Sequence, residues 1–68
     1  MQQTLRKQFG QFLREKRGDQ TLRDFARKVG VSSSTLQRLE MAEQNVTLDT
    51  LERVTRKLKI TVSDIFRN

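Results

Sequence analysis

The sequence predicts an all-α fold of five helices. Apolar residues recur every three or four positions in successive segments, proline is absent, and only three glycines occur among 68 residues. Apolar residues at this spacing lie on one face of a helix, and proline and glycine are the residues that most often interrupt helices. We therefore expect one domain over residues 1–68, stabilised by the packing of helices against one another.

Composition limits what the chain can do. It has no cysteine and no histidine, which excludes disulfides and thiolate metal sites, so we expect no metal and no cofactor. No apolar run approaches membrane-spanning length and the amino terminus lacks the apolar core of a signal peptide, so a cytoplasmic location is the default expectation. Fourteen Lys and Arg against eight Asp and Glu give a net charge of +6, which favours a polyanion as partner.

The first helix is expected from about Gln3 to Arg17. Its apolar stripe consists of residues at helical spacing: Leu5, Phe9, Phe12 and Leu13. Gly10 lies inside this pattern and weakens the helix by somewhat under about 1 kcal/mol, which a close crossing of another helix would explain. Residues 18–20, Gly-Asp-Gln, then form a turn.

Between Leu22 and Leu39 the spacing predicts two short helices that meet at a steep angle across a tight turn. One face of helix 2 carries the apolar residues Leu22, Phe25, Ala26 and Val29, and one face of helix 3 carries Leu36 and Leu39. Ala26 is small enough for helix 3 to approach closely. Gly30 can end helix 2 in the left-handed conformation at no steric cost, and Val31 closes the turn against the core. A plain helical hairpin with the same pattern is the alternative.

Polar residues mark where these two helices begin. Thr21 and Asp24 have the spacing of a capping box at the start of helix 2, which then continues to about Val29. Ser32 is the expected N-cap of helix 3, because its hydroxyl can accept a hydrogen bond from an otherwise unpaired amide. Residues 32–35 could instead form a flexible linker, but their position between two periodic apolar segments argues against it.

The run TLRDFARKVGVSSSTLQRLE, from Thr21 to Glu40, resembles the phage-repressor and Cro-like (XRE-type) helix-turn-helix DNA-binding family. The resemblance continues through NVTLDTLERV and TVSDIF. It implies a five-helix lambda-repressor-like DNA-binding domain with the helix-turn-helix at about residues 21–40. In that family the second helix of the motif lies in the DNA major groove and dimers read two half-sites. The resemblance therefore implies double-stranded DNA as partner and a homodimer as the binding form.

The segments after the motif carry two further expectations. Helix 3 should continue through Glu40, and it can extend by a further turn because this chain has Ala42 where many relatives have a helix-ending glycine. Helix 4 is expected from about Leu48 to Lys57, after a loop from which Val46 reaches the core. Its apolar stripe is Leu48, Leu51, Val54 and Leu58.

Four residues of helix 3 are candidates for contacts with bases. Because Leu36 and Leu39 define the buried side, the opposite face presents Ser33, Ser34, Gln37 and Arg38. A glutamine amide can pair with adenine, an arginine can reach guanine or a phosphate, and short serines do not hold the helix away from the groove. The alternative is that these residues are only the solvated side of a helix.

A second set is expected to contact phosphates: Thr21, Arg23, Ser32, Thr35, Gln44, Asn45 and Thr47. Many relatives place a phosphate-binding glutamine at the start of helix 2, where this chain has Leu22. Thr21, Arg23 and the helix 2 amides are therefore candidates for that contact, since a helix N-terminus attracts phosphate. The candidates in the loop after helix 3 would hold the other strand. Arg23, like the weaker candidates Arg27 and Lys28, could equally be ordinary helix surface.

Arg14 and Glu40 match a pair that in relatives forms an ion pair between helix 1 and the end of helix 3. Such a pair would position helix 3 without contacting bases. The alternative is two unrelated surface charges, which contribute almost nothing to stability.

A last short helix is expected to begin at the capping-box pair Thr61 and Asp64, with Ile65 and Phe66 on one side. The candidate homodimer interface is Ile60, Val62 and Phe66. These residues could equally close the monomer's own core, which is the expected use of Ile65. Phe66 is the strongest candidate for a dimer contact.

The predicted function is a sequence-specific DNA-binding transcriptional regulator, a repressor acting as a homodimer on a palindromic operator. The alternative is an antitoxin-like or other protein-interaction module on the same scaffold, with a toxin-like protein partner at the apolar end from Ile60 to Phe66. An enzyme is not expected and no residue is assigned as catalytic, because the sequence has no histidine, cysteine, paired-carboxylate constellation or glycine-rich phosphate loop.

Overall fold

The computed structural model describes residues 4–43 and 45–66, which form five α-helices and no strand. The helices are α1 (Leu5–Arg17), α2 (Leu22–Val29), α3 (Ser33–Glu40), α4 (Leu48–Leu58) and α5 (Val62–Ile65). The predicted all-α fold of five helices is therefore confirmed. Gln3, the expected start of the first helix, lies outside the described residues. None of the helices in these two ranges has the length and apolar character needed to cross a bilayer.

Hydroxyl side chains begin the first four helices. These residues are Thr4, Thr21, Ser32 and Thr47. The hydroxyl of each accepts a hydrogen bond, at 3.1–3.2 Å, from the backbone amide of the residue three positions later. This confirms the two predicted caps of α2 and α3, and adds the caps of α1 and α4. Before α5, the Asp64 carboxylate accepts a hydrogen bond from the Thr61 amide at 2.9 Å, as its spacing predicted.

The core lies where the first four helices meet, and α5 closes one end of it. Its buried apolar side chains are Phe9, Leu13, Phe25, Ala26, Val29, Leu36, Leu39, Val54 and Ile65. Helix α3 packs against α1 and α2, α4 packs against α2, and α5 packs against α1. Val31 and Val46 pack against this core from their loops, as predicted.

The backbone of α1 at Gly10 packs closely against the backbone at the end of α3. A Cβ atom on Gly10 would lie 2.5 Å from the carbonyl oxygen of Leu39 and 2.9 Å from that of Glu40. Backbone atoms cannot move aside as the end of a flexible side chain can, so no larger residue fits without shifting one helix. The glycine inside the apolar stripe of α1 is therefore explained by a close helix crossing.

Helix α3 ends at Glu40, so the expected extension by a further turn was wrong. Ala42 adopts the left-handed conformation (φ 58°), its amide donates to the Leu39 carbonyl, and the Glu43 amide donates to the Arg38 carbonyl. This is a Schellman closure, which usually has glycine at the left-handed position. The hydrogen bonds to the last carbonyls end the helix even though alanine occupies that position.

The apolar stripe of α4 is shorter than predicted. Leu48 is 83% exposed, so its inclusion was wrong, while Leu51, Val54 and Leu58 do face the core. Leu48 is the first residue of α4, and side chains on a helix tilt toward its N-terminus. The side chain therefore projects past the end of the helix, away from the packed interior.

We predict that Gly10→Ala lowers the free energy of unfolding by about 1–3 kcal/mol, the usual cost of forcing an extra methyl group into a packed site. The matched control is Arg6→Ala, at an exposed position of the same helix, which should change stability little. Urea titration followed by circular dichroism measures both. A Gly10→Ala protein as stable as the parent would contradict the close crossing.

We predict that Ala42→Gly raises the free energy of unfolding by up to about 1 kcal/mol, because glycine adopts a positive φ without the steric cost that alanine bears. Ala26→Gly is the contrasting variant, since Ala26 is buried within α2 with helical geometry, and it should be destabilised. Thermal melting of the two variants compares them, and a loss of stability in Ala42→Gly would argue against the closure described above.

Candidate nucleic-acid interface

The four candidates for base contacts lie on the surface of α3. Leu36 and Leu39 are fully buried beneath the helix, and all four candidates are exposed: Ser33, Ser34, Gln37 and Arg38. The structure therefore brings together a polar, solvent-facing strip on a helix whose other side is anchored in the core. The predicted orientation of the helix is confirmed, while contact with a base remains a prediction.

Local hydrogen bonds distinguish the hydroxyl groups at the start of α3. The Ser32 hydroxyl accepts from the Thr35 amide at 3.1 Å, donates to Thr35 Oγ1 at 2.8 Å, and lies 3.3 Å from Ser34 Oγ. Ser33 and Gln37 have no side-chain hydrogen bond to any residue in the described ranges. The amide of Gln37 is thus available in full for an external partner, whereas Ser32 and Thr35 are partly engaged in capping.

The candidates for phosphate contacts lie at the beginnings of α2, α3 and α4. Thr21 and Arg23 are exposed at the first turn of α2, while Leu22 between them is half-buried against the core. Asn45 and Thr47 are exposed before α4, where the Thr47 hydroxyl also donates to Thr50 Oγ1 at 3.0 Å. Gln44 lies outside the described residues. Three helix N-termini with exposed polar side chains can each present amides and hydroxyls to an anion.

The predicted ion pair between Arg14 and Glu40 was wrong, because the arginine that pairs with the Glu40 carboxylate is Arg17. The Glu40 carboxylate, in a residue only 6% exposed, accepts from Arg17 Nε at 2.8 Å and from Arg17 Nη2 at 3.1 Å. Arg14 donates instead to the backbone carbonyl of Glu40 at 3.2 Å. Both arginines face α3 from α1, but it is the one nearer the end of α1 that reaches the carboxylate with its planar fork.

Arg17 ties three segments together. Beside its two bonds to Glu40, Nη1 donates to the carbonyl of Gln20 in the turn before α2 at 3.0 Å. The hydrogen bond with Glu40 raises the pKa of Arg17 from its ordinary value, and the charge of the same carboxylate adds to this while burial opposes it. The pair therefore links α1, the turn and the last residue of α3, and so holds the exposed face of α3 in position.

A helix-turn-helix family model matches residues 13–65, which include all of α2, α3, α4 and α5. The chain belongs to the helix-turn-helix family, of the Cro-like, XRE type. This is a DNA-binding regulatory family, and the match confirms the resemblance carried by residues 21–40. Comparison with curated proteins and with solved structures found no significant match.

Within this helix-turn-helix protein, the candidate dimer residues have two kinds of environment. Ile60 and Phe66 are half-buried against the core, and the Phe66 ring centroid lies 6.3 Å from that of Phe9. Val62 is 48% exposed. Phe66, expected as the main dimer contact, thus packs much of its apolar surface against its own chain, and Ile65 is buried in the core as expected.

Two arginines that position the helix-turn-helix were missed from the sequence. The sequence pattern assigns Arg17 only to the end of the first helix and gives Arg53 no role. Arg53 Nη1 donates to the carbonyl of Gly30, in the turn between α2 and α3, at 3.3 Å. No local signal in the sequence marks either contact, because each joins residues 23 positions apart.

We predict that Arg17→Met lowers the free energy of unfolding several-fold more than Arg14→Met. Removal of Arg17 leaves the buried Glu40 carboxylate without its partner, whereas removal of Arg14 gives up one hydrogen bond to a carbonyl. Denaturant titration of the two variants measures the difference. Equal losses, or a larger loss in Arg14→Met, would show that Arg17 is not the partner that matters.

Proposed function

We propose that this helix-turn-helix protein is a sequence-specific DNA-binding transcriptional regulator, a repressor that acts as a homodimer on a palindromic operator. The observation that carries the proposal is the exposed polar face of α3, presented by a helix whose opposite side is anchored at Leu36 and Leu39. In a family whose motif places this helix in the major groove, such a face meets base edges. Residues 1–68 would then form a single DNA-binding domain.

Different residues of α3 would have different roles. Gln37, with its whole amide available, suits a paired contact to the edge of an adenine. Ser33 and Ser34 lie in the first turn, and their short side chains let the helix enter the groove. Arg38 suits either guanine or a phosphate, and it lies nearer the end of the helix.

Phosphate contacts would set the register of α3 on the duplex. Thr21 and Arg23 at α2 and Ser32 and Thr35 at α3 would meet one strand, and Asn45 with its neighbours before α4 would meet the other. A helix N-terminus offers amides and a positive dipole end to each phosphate. Such contacts supply affinity without sequence information, so specificity rests on the exposed face of α3.

A homodimer is favoured by the small size of the reading element. One helix of eight residues covers few base pairs, and specific affinity generally requires a larger interface. Val62 is exposed, and Ile60 and Phe66 are half-buried beside it, so this end of the molecule offers apolar surface for a two-fold contact. Two-fold symmetry in the protein implies a palindromic operator. Such a regulator would act in the cytoplasm of a bacterium or of a phage-infected cell, where the DNA is.

Selection of preferred sites from random DNA duplexes tests the proposal. A sequence-specific regulator should yield a two-fold symmetric preferred site whose half-sites are about one helical turn apart. Sedimentation of the protein with that duplex should show two chains bound. Binding without preference among duplexes at physiological salt would overturn the proposal.

We predict that Gln37→Ala costs about 1–3 kcal/mol of binding free energy on the preferred duplex and relaxes preference at one base pair of each half-site. The matched control is Gln11→Ala, at an exposed position of α1, which should leave the preference unchanged. Competition binding against single-base variants of the selected site measures both effects. A uniform loss on every duplex would show that Gln37 does not read a base.

A further inference from the structure

We infer that Arg53 and Lys57 of α4 form a phosphate-binding pair beside the turn between α2 and α3. This inference rests on the proposed function, since the phosphates are those of the DNA duplex that α3 reads. It assigns to α4 a part in holding the DNA backbone, in addition to its part in the core.

Both side chains lie across the same glycine. A Cβ atom placed on Gly30 would lie 3.1 Å and 3.2 Å from Cδ and Cγ of Arg53, and 3.5 Å from Cε of Lys57. Arg53 Nη1 also donates to the Gly30 carbonyl at 3.3 Å. The aliphatic stems therefore pack over the turn, and the charged ends are held near it while both residues remain exposed.

The charge of this pair is not neutralised from within the described part of the chain. No carboxylate oxygen there lies within 4.0 Å of either cation. Arg56 on the same helix differs, because its Nη2 lies 3.2 Å from Glu52 Oε2. Two like charges four residues apart on a helix repel each other. An anion bound between Arg53 and Lys57 would relieve that repulsion.

The position of the pair relative to α3 indicates which anion this is. Gly30 precedes Ser33 by three residues, so their Cα atoms are at most about 11 Å apart. The major groove is about 12 Å wide and is bordered by the phosphates of both strands. When Ser33 lies at a base edge, Gly30 is no farther from it than about the width of the groove, so the long side chains of Arg53 and Lys57 over Gly30 are within reach of a bordering phosphate. Arg53 uses one guanidinium N–H at Gly30 and keeps others for that oxygen.

An acidic segment of another protein would also satisfy two unpaired cations. The duplex is favoured because the pair lies beside the turn that leads into the proposed reading helix, and Arg53 is bonded to that turn. The two partners differ in an observable way, because an acidic protein partner would leave the binding of DNA by the isolated chain independent of Arg53 and Lys57.

The test measures the affinity of Arg53→Gln, Lys57→Gln and Arg56→Gln for the selected duplex and for a random duplex, over a range of salt concentrations. Arg56→Gln is the matched control, because it removes the same charge from the same helix but at the residue paired with Glu52. Glutamine keeps a comparable helix propensity. Thermal melting of each variant by circular dichroism checks that the fold is retained.

Each phosphate contact contributes about 0.9 to the slope of log affinity against log salt. We expect Arg53→Gln and Lys57→Gln each to reduce the slope by about that amount on both duplexes, with base preference unchanged. The fall in affinity between about 50 and 200 mM salt would then be about threefold smaller for each variant. Arg56→Gln should retain a slope close to that of the parent protein.

Unchanged slopes in both variants, or a reduction no larger than in Arg56→Gln, would overturn the inference and favour an acidic protein partner. A changed base preference would also overturn it, because phosphates carry no sequence information. If Arg53→Gln fails to fold, Arg53→Lys keeps the charge and Lys57→Gln still tests the site. The salt slope can be measured on random DNA alone, so failure of sequence-specific recognition would be detected separately.

Discussion

The contact between α1 and the last residues of α3 holds the candidate reading helix in place. At Gly10 the backbones come so close that a Cβ atom would collide with the carbonyls of Leu39 and Glu40. The Glu40 side chain is bound by the fork of Arg17 and its carbonyl by Arg14. Steric closeness and an ion pair to a nearly buried carboxylate therefore act at the same end of α3, and the exposed Ser33 and Ser34 lie at its other end.

The turn between α2 and α3, which precedes the start of α3, is held by side chains of α4. Gly30 ends α2 in the left-handed conformation, and its lack of a side chain also gives room for the stems of Arg53 and Lys57. One residue thus satisfies both a backbone requirement and a packing requirement. Because Ser33 follows three residues later, any shift of this turn would move the start of α3.

Some charged side chains of the chain form ion pairs within the structure, and an excess of positive charge remains. Glu40 and Glu52 pair with arginines inside the described structure, and the remaining excess of Lys and Arg gives the net charge of +6. The Glu40 carboxylate is nearly buried, so its pair with Arg17 stabilises only when both partners are present and favours one arrangement of α1 and α3. Unpaired surface cations cost little to solvate and remain available for a polyanion.

The sequence by itself determined the number and type of helices, the caps at Thr21 and Ser32, and the exposed face of α3, because each follows from residues three or four positions apart. Only the tertiary structure decided which arginine meets Glu40, because Arg14 and Arg17 are both near α3 and the carboxylate is 23 residues from Arg17. The same holds for Phe66, whose ring packs against Phe9 from the other end of the chain. Contacts between distant segments depend on how the helices cross, and the spacing of residues within one helix carries no information about those crossings.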